Sequence, residues 1–173
     1  MKRVLVIGCP GGGKSTFSRQ LNQLTKLPLY YLDMLYWNED RTTVPKEVFL
    51  ERLAGVIAQD EWIIDGNYSS TMEMRLEACD TVFFLDYPTQ VCLEGIAARK
   101  GKARADIPWV EETDDEELLQ FVCKFQEESR PEIIRLLDKY PAKQLIVFRS
   151  REDSGDYLNA CRQNWLETDD ALC

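Results

Sequence analysis

Residues Gly8-Cys9-Pro10-Gly11-Gly12-Gly13-Lys14-Ser15-Thr16 bring glycines, a lysine and two hydroxyls into one short stretch. The spacing is glycine, four residues, glycine, lysine, serine, which is the pattern of a phosphate-binding loop. Each residue type has a task there. Glycines allow positive φ and let backbone N–H groups approach phosphate oxygens closely. A helix starting directly after the loop points its positive end at the same anion. Lys14 can reach the β- and γ-phosphates, and the Ser15 hydroxyl can ligate Mg2+. The apolar run Val4–Ile7 before the loop and the helical pattern after it supply the strand–loop–helix context that this chemistry needs.

Other residues suit a second half of such a site. Asp65 closes the apolar run Trp62–Ile64, as a carboxylate does when it holds Mg2+ or its water ligands. Asp86 closes Thr81–Leu85 in the same way. Asp65 is the preferred candidate, because Gly66 after it keeps the strand end open, whereas Pro88 near Asp86 suits a plain turn. Asp33 follows another apolar segment and can receive a substrate hydroxyl, orient a Mg2+-bound water, or serve as a turn residue. Tyr36 and Trp37 can stack on a ring or simply pack. Arg99, Lys100, Lys102 and Arg104 form a basic cluster in an acidic chain. It fits a mobile lid bringing guanidinium groups onto a transferring phosphoryl group; a solvated helix end is the plainer account. Arg75 and Arg41 are weaker candidates for the acceptor side.

The elements that must position these residues alternate. Arg3–Ile7, Leu29–Leu32, Trp62–Ile64, Thr81–Leu85 and Gln144–Phe148 read as strands, several of them buried and rich in β-branched residues. Phe17, Leu21, Leu24 and Leu27 recur at helical spacing, as do Phe49, Leu53, Val56 and Ile57. Thr42 and Thr43 are possible caps ahead of Pro45. Met34–Arg41 shows no regular period. Asp114 or Asp115 can cap a long helix that Pro131 kinks or breaks. Alternating strands and helices give an α/β domain with a parallel sheet. Ligands of such folds sit at the carboxyl ends of the strands. That rule gathers Gly8–Ser15, Asp33, Asp65, Asp86 and the Arg149 turn on one edge.

Composition narrows the class. The 173 residues suit one well-cored domain, here taken as 1–173 with a lid insertion at about 99–114. A net charge of −9 argues against a nucleic-acid surface. No apolar run has the length of a membrane span, so no membrane partner is expected. The six cysteines are scattered and there is no histidine, which favours free thiols in a reducing, cytoplasmic setting over zinc or disulfides.

The motifs resemble adenylate-kinase-like P-loop kinases. The segments Tyr31-Leu32-Asp33-Met34-Leu35-Tyr36-Trp37, Trp62-Ile63-Ile64-Asp65-Gly66-Asn67-Tyr68 and Arg149-Ser150-Arg151 are more closely similar to the bacterial group labelled DNA topology modulation protein (FLAR-related). The resemblance implies a three-layer P-loop NTPase fold: a five-stranded parallel sheet of order 2-3-1-4-5, helices on both faces and a small lid. It implies an ATP site at Gly11, Gly12, Gly13, Lys14, Ser15 and Thr16, with Arg149 beside it. Ser15 and Asp65 would form the Mg2+ shell, and Arg99 and Arg104 the catalytic lid. Asp33, Trp37 and Arg75 would meet a small acceptor, with a nucleoside monophosphate as one candidate. Adenylate kinases follow Asp-Gly with Phe-Pro-Arg, whose arginine holds the acceptor phosphate. Here Asn67-Tyr68 follows, and the next arginine is Arg75. A kinase acting on a hydroxyl metabolite and a nucleotide-binding regulator with little turnover are the alternative readings.

Overall fold

The structure, a computed structural model, describes residues 1–113 and 115–170, with side chains described through residue 163. Its centre is β1 (Arg3–Gly8), where Val4, Leu5, Val6 and Ile7 are fully buried. A strand covered on both faces needs such an unbroken apolar run. β1 lies between β3 (Trp62–Asp65) and β4 (Thr81–Leu85), with β2 (Leu29–Tyr31) and β5 (Gln144–Phe148) at the edges. All four pairings are parallel, in the order β2-β3-β1-β4-β5. Val6 is opposite Asp65 in the register, which brings the end of β3 level with the start of the glycine loop.

α1 (Lys14–Thr25) turns Phe17 and Leu21 inward. After it come α2 (Leu32–Tyr36), α3 (Lys46–Ile57), α4 (Ser69–Ala78) and α5 (Thr89–Arg99). The chain finishes with α6 (Glu116–Lys124), α7 (Ser129–Asp138) and α8 (Arg151–Asp170). The crossover through α1 runs toward β2, while those through α4 and α5–α7 run the opposite way across the sheet. Right-handed crossovers then put α1 on one face and α4 and α5–α7 on the other. Phe17, Phe83, Phe148 and Tyr157 interlock between α1, the sheet and α8, with ring centroids 5.0–5.9 Å apart.

Local details differ from the sequence reading. The irregular stretch after β2 begins with the short α2, which buries Leu32 and puts Asp33 in its first turn. Trp37 then pairs with Thr43 in an isolated antiparallel bridge, so Thr43 is spent on a loop closure. The cap position of α3 is Pro45, without a side-chain cap bond. The Asp115 side chain caps α6 by accepting from Leu118 N at 3.0 Å; Asp114 lies outside the described residues. The expected long helix breaks at 125–128, ahead of Pro131. That proline sits in the first turn of α7, where a missing N–H costs no intrahelical bond.

Candidate active site

The glycine loop joins β1 to α1 at the carboxyl edge of the sheet. Gly11 and Gly13 have φ of 80° and 90°, which side-chain-bearing residues rarely adopt. A Cβ on Gly11 would also stand 2.0 Å from the Cys92 carbonyl oxygen of α5. Lys14 opens α1 and folds back, its Nζ 3.3 Å from the Cys9 carbonyl oxygen. Asn67, from the turn after β3, holds the loop at two points. Gly8 N donates to its Oδ1 at 3.0 Å, and its Nδ2 donates to the Gly8 carbonyl at 2.8 Å. Sequence reading gave Asn67 a place in a family-like segment and a departure from the adenylate-kinase motif, but no role; a side-chain amide beside Asp-Gly was the available signal.

Asp65 is 4% exposed, and neither carboxylate oxygen has a hydrogen-bond partner within the described structure. Burial pushes its carboxyl up to about 6, against the Lys14 charge and the nearby Ser15 hydroxyl. Asp106 and Asp33 add to the rise. Asp86, the other strand-end carboxylate, is fully engaged. Arg130 donates to both of its oxygens at 2.8–3.0 Å, and Arg149 Nη1 donates to Oδ2. Leaving Asp65 charged in this pocket has a cost that depends on pH. A carboxyl raised in the folded state holds its proton more tightly than in the unfolded chain. Stability from this group is therefore greatest below about pH 4 and is lost as pH rises through about 6, by about 3 kcal/mol in all. Asp65→Asn should flatten that part of the profile. Urea midpoints measured at pH 5 and pH 8 for both proteins check it, and an unchanged slope would refute it.

Asp33 faces the same cleft, and Tyr68 Oη donates to its Oδ1 at 2.6 Å. Burial raises the Asp33 carboxyl, while the Tyr68 bond and the Lys14 charge oppose that rise. Tyr68 itself is held far above the usual phenol range by burial and by the Asp33 charge. Its backbone has a φ of 39°, which turns the chain sharply into α4. Around it the Tyr36, Trp37, Phe49 and Trp109 rings make a chain of edge and tilted contacts. Arg41 lies over the Trp109 ring, 5.7 Å from its centroid.

The basic segment after α5 folds over the loop. Arg104 Nη1 donates to Glu111 Oε2 at 2.8 Å, and its Nε and Nη2 reach Asp106 at 3.2 and 2.9 Å. Arg99 Nη2 donates to Glu111 Oε1 at 2.9 Å. Ser15 Oγ donates to Asp106 Oδ2 at 2.8 Å, tying the segment to the phosphate loop. Burial works to raise the Asp106 carboxyl, but Arg104 and the Ser15 bond carry it below the usual range. Asp106, Glu111 and Trp109 were missed in the sequence. The signal for the two carboxylates was that they follow on the basic run, which a count of positive charges passes over.

Together these groups line a cleft of about 760 Å3. Among the expected site residues, Gly11, Gly13, Lys14, Ser15, Thr16, Asp33, Trp37, Asp65, Arg99 and Arg104 line it, and Gly12 is buried. Two expectations are corrected. Arg75 is fully buried and does not line the cleft. Its guanidinium donates to the carbonyls of Gly66 at 2.8 Å, Tyr68 at 2.9 Å, Thr71 at 3.3 Å and Asn67. It braces the backbone under the site, where it cannot hold an acceptor. Arg149 is drawn to Asp86, away from the loop. Arg151 takes the place beside the loop instead, its Nη2 3.3 Å from the Gly11 carbonyl oxygen.

No family model matches the chain, and neither does any curated protein. Solved structures do. Shikimate kinase from Bacteroides thetaiotaomicron superposes with a TM-score of 0.58 at 20% identity, over 96% of this chain and 98% of that one. Shikimate kinase from Acinetobacter baumannii, in complex with shikimate, gives 0.60 at 16% identity, over 95% and 94%. A sugar kinase from Janibacter sp. HTCC2649 gives 0.52 at 19%, over 96% and 95%. At these identities the likeness is one of fold: the chain has the P-loop kinase fold of these proteins. Among the described residues no helix is long and apolar enough to cross a membrane.

Proposed function

We propose that the chain is an ATP-dependent P-loop kinase that transfers the γ-phosphoryl group to a hydroxyl of a small acceptor. The observation that carries this reading is one cleft that gathers Lys14, Ser15, the buried, unpartnered Asp65 and Asp33. Lys14 and the loop N–H groups would grip the phosphates. Ser15 and Asp65 would hold Mg2+ directly or through its water, and the ion would neutralise charge on the phosphate oxygens. The orphaned Asp65 oxygens suit such an ion. No cluster of three or more metal-ligating side chains occurs among the described residues. Mg2+ would keep several waters and take its other ligands from the nucleotide. For Ser15 to serve, Asp106 must release it.

The step breaks the bond from the γ-phosphorus to its bridging oxygen and forms one to the acceptor oxygen. Asp33 would take the hydroxyl proton, helped by a raised carboxyl that favours accepting it. Arg99 and Arg104 would stabilise charge on the transferring group after exchanging Glu111 and Asp106 for phosphate oxygens. A hydroxyl acceptor is preferred to a nucleoside monophosphate because Arg75, the candidate for an acceptor phosphate, is spent on backbone carbonyls. Within this class, the Asp33–Trp37 and Asp65–Tyr68 segments support a place beside the bacterial group labelled DNA topology modulation protein.

An ATP-consumption screen over hydroxylated metabolites and nucleoside monophosphates tests the proposal. Tight ATP binding with no consumption would favour the regulator instead. Asp33→Asn should lower turnover by roughly 10²- to 10⁴-fold with ATP affinity little changed. An unchanged rate would remove Asp33 from the reaction.

A further inference from the structure

A second cavity of about 300 Å3 opens between α4, α6 and α7. That size is at the lower end of small-molecule sites. Its walls are mainly apolar: Met72, Phe125, Ile133 and Leu136 are buried, and Phe121 stands at its edge, 43% exposed. The polar groups on it are hydroxyls, the Asn67–Tyr68 turn and Glu132, and no lysine or arginine is among its lining residues.

This cavity adjoins the cleft. Asn67, Tyr68 and Phe121 line both, so the two spaces meet at these residues. There Tyr68 Oη meets Asp33. Along α6 and its C-cap residue, Leu118 lines the cleft, Phe121 lines both spaces and Phe125 lines the cavity. Residues three and four apart share a helix face, so a continuous apolar edge leads from the reacting end of the cleft into the cavity.

We propose that this cavity receives an uncharged apolar group of the acceptor, about the size of an aromatic ring. The acceptor is then amphipathic, with its hydroxyl at Asp33 and its ring among Met72, Phe121, Phe125 and Ile133. The inference rests on the kinase reading for the role of Asp33. A phosphate or carboxylate is a poor occupant, since Glu132 would repel it and no cation in the lining would pair with it.

The test uses the full chain with the non-hydrolysable ATP analogue adenylyl imidodiphosphate, Mg2+ and the uncharged fluorophore N-phenyl-1-naphthylamine. The probe should bind saturably, and Phe121→Ala and the mouth-filling Ser129→Trp should each weaken it at least tenfold. Absence of saturable binding, or equal affinity in both variants, overturns the site. Binding of a fluorescent ATP analogue reports whether each variant is folded. Its loss in the unaltered chain would instead sink the kinase reading. 3-Phenoxypropane-1,2-diol should displace the probe at a concentration at least tenfold below that of glycerol, and Asp33→Asn should weaken this displacement but not probe binding. Displacement unchanged by Asp33→Asn overturns the acceptor assignment. A dimer in sedimentation that Phe121→Asp dissociates would make the groove a contact between copies, which also overturns it.

Discussion

Lys14→Ala is expected to lower ATP turnover by roughly 10²-fold or more, the loss that follows removal of one strong stabiliser of transition-state charge. The chain should stay folded. Lys14 is half-buried, and its described hydrogen bond is a long one of 3.3 Å to the Cys9 carbonyl. A second readout separates loss of the cation from general damage. The Lys14 charge lowers the carboxyls of both Asp65 and Asp33. Without it both should hold their protons to higher pH, so the acid-side rise in stability should begin at higher pH. Near-normal phosphotransfer by the variant would end the assignment of the loop to catalysis.

Arg75→Leu is expected to cost about 3 kcal/mol or more of stability, because backbone carbonyls under the site lose their donor. Burial lowers its guanidinium to about 9, so it is still protonated at neutral pH. Its bonds go to backbone carbonyls of the β3–α4 turn and the first turn of α4. Leucine would take this donor from the Gly66 and Asn67 carbonyls, at a cost of roughly 1–3 kcal/mol each before relaxation, while the Tyr68 carbonyl keeps its bonds from Thr71. Denaturant midpoints measure the loss. An arginine that bound the acceptor would behave otherwise, raising KM while leaving unfolding almost unchanged, and that result would reinstate Arg75 in the cleft.

The contrast between these residues shows what could be read from the chain. Lys14 was legible because a phosphate loop needs a fixed local spacing, and the flanking strand and helix are local as well. The sheet was legible for the same reason, since buried parallel strands are written as continuous apolar runs. Asp65 could be preferred over Asp86 from its neighbours, but what separates them in space is Arg130 and Arg149, distant in sequence. Arg75 and Arg149 went astray because a guanidinium reaches several ångströms from its Cα. Its partners, the Gly66–Tyr68 carbonyls or Asp86, are set by tertiary packing. The Ser15–Asp106 contact joins residues 91 positions apart, and no local pattern records it.

The close approach of α5 to the glycine loop limits how the molecule can move. A Cβ on Gly95 would fall 1.9 Å from the Gly11 carbonyl oxygen, and one on Gly11 would fall 2.0 Å from Cys92. Loop and helix are therefore in backbone contact, without a side chain between them to act as a cushion. Arg99 ends that same helix about one turn beyond Gly95. Tilting α5 to swing the basic segment outward would drive peptide groups into the phosphate loop, so the helix has to act as a fixed post. Just past it, Gly101 has a φ of 72° and open space around its Cβ position. On the kinase reading proposed above, a basic segment that opened there would leave the support of the glycine loop in place, so an acceptor could enter without disturbing a bound nucleotide.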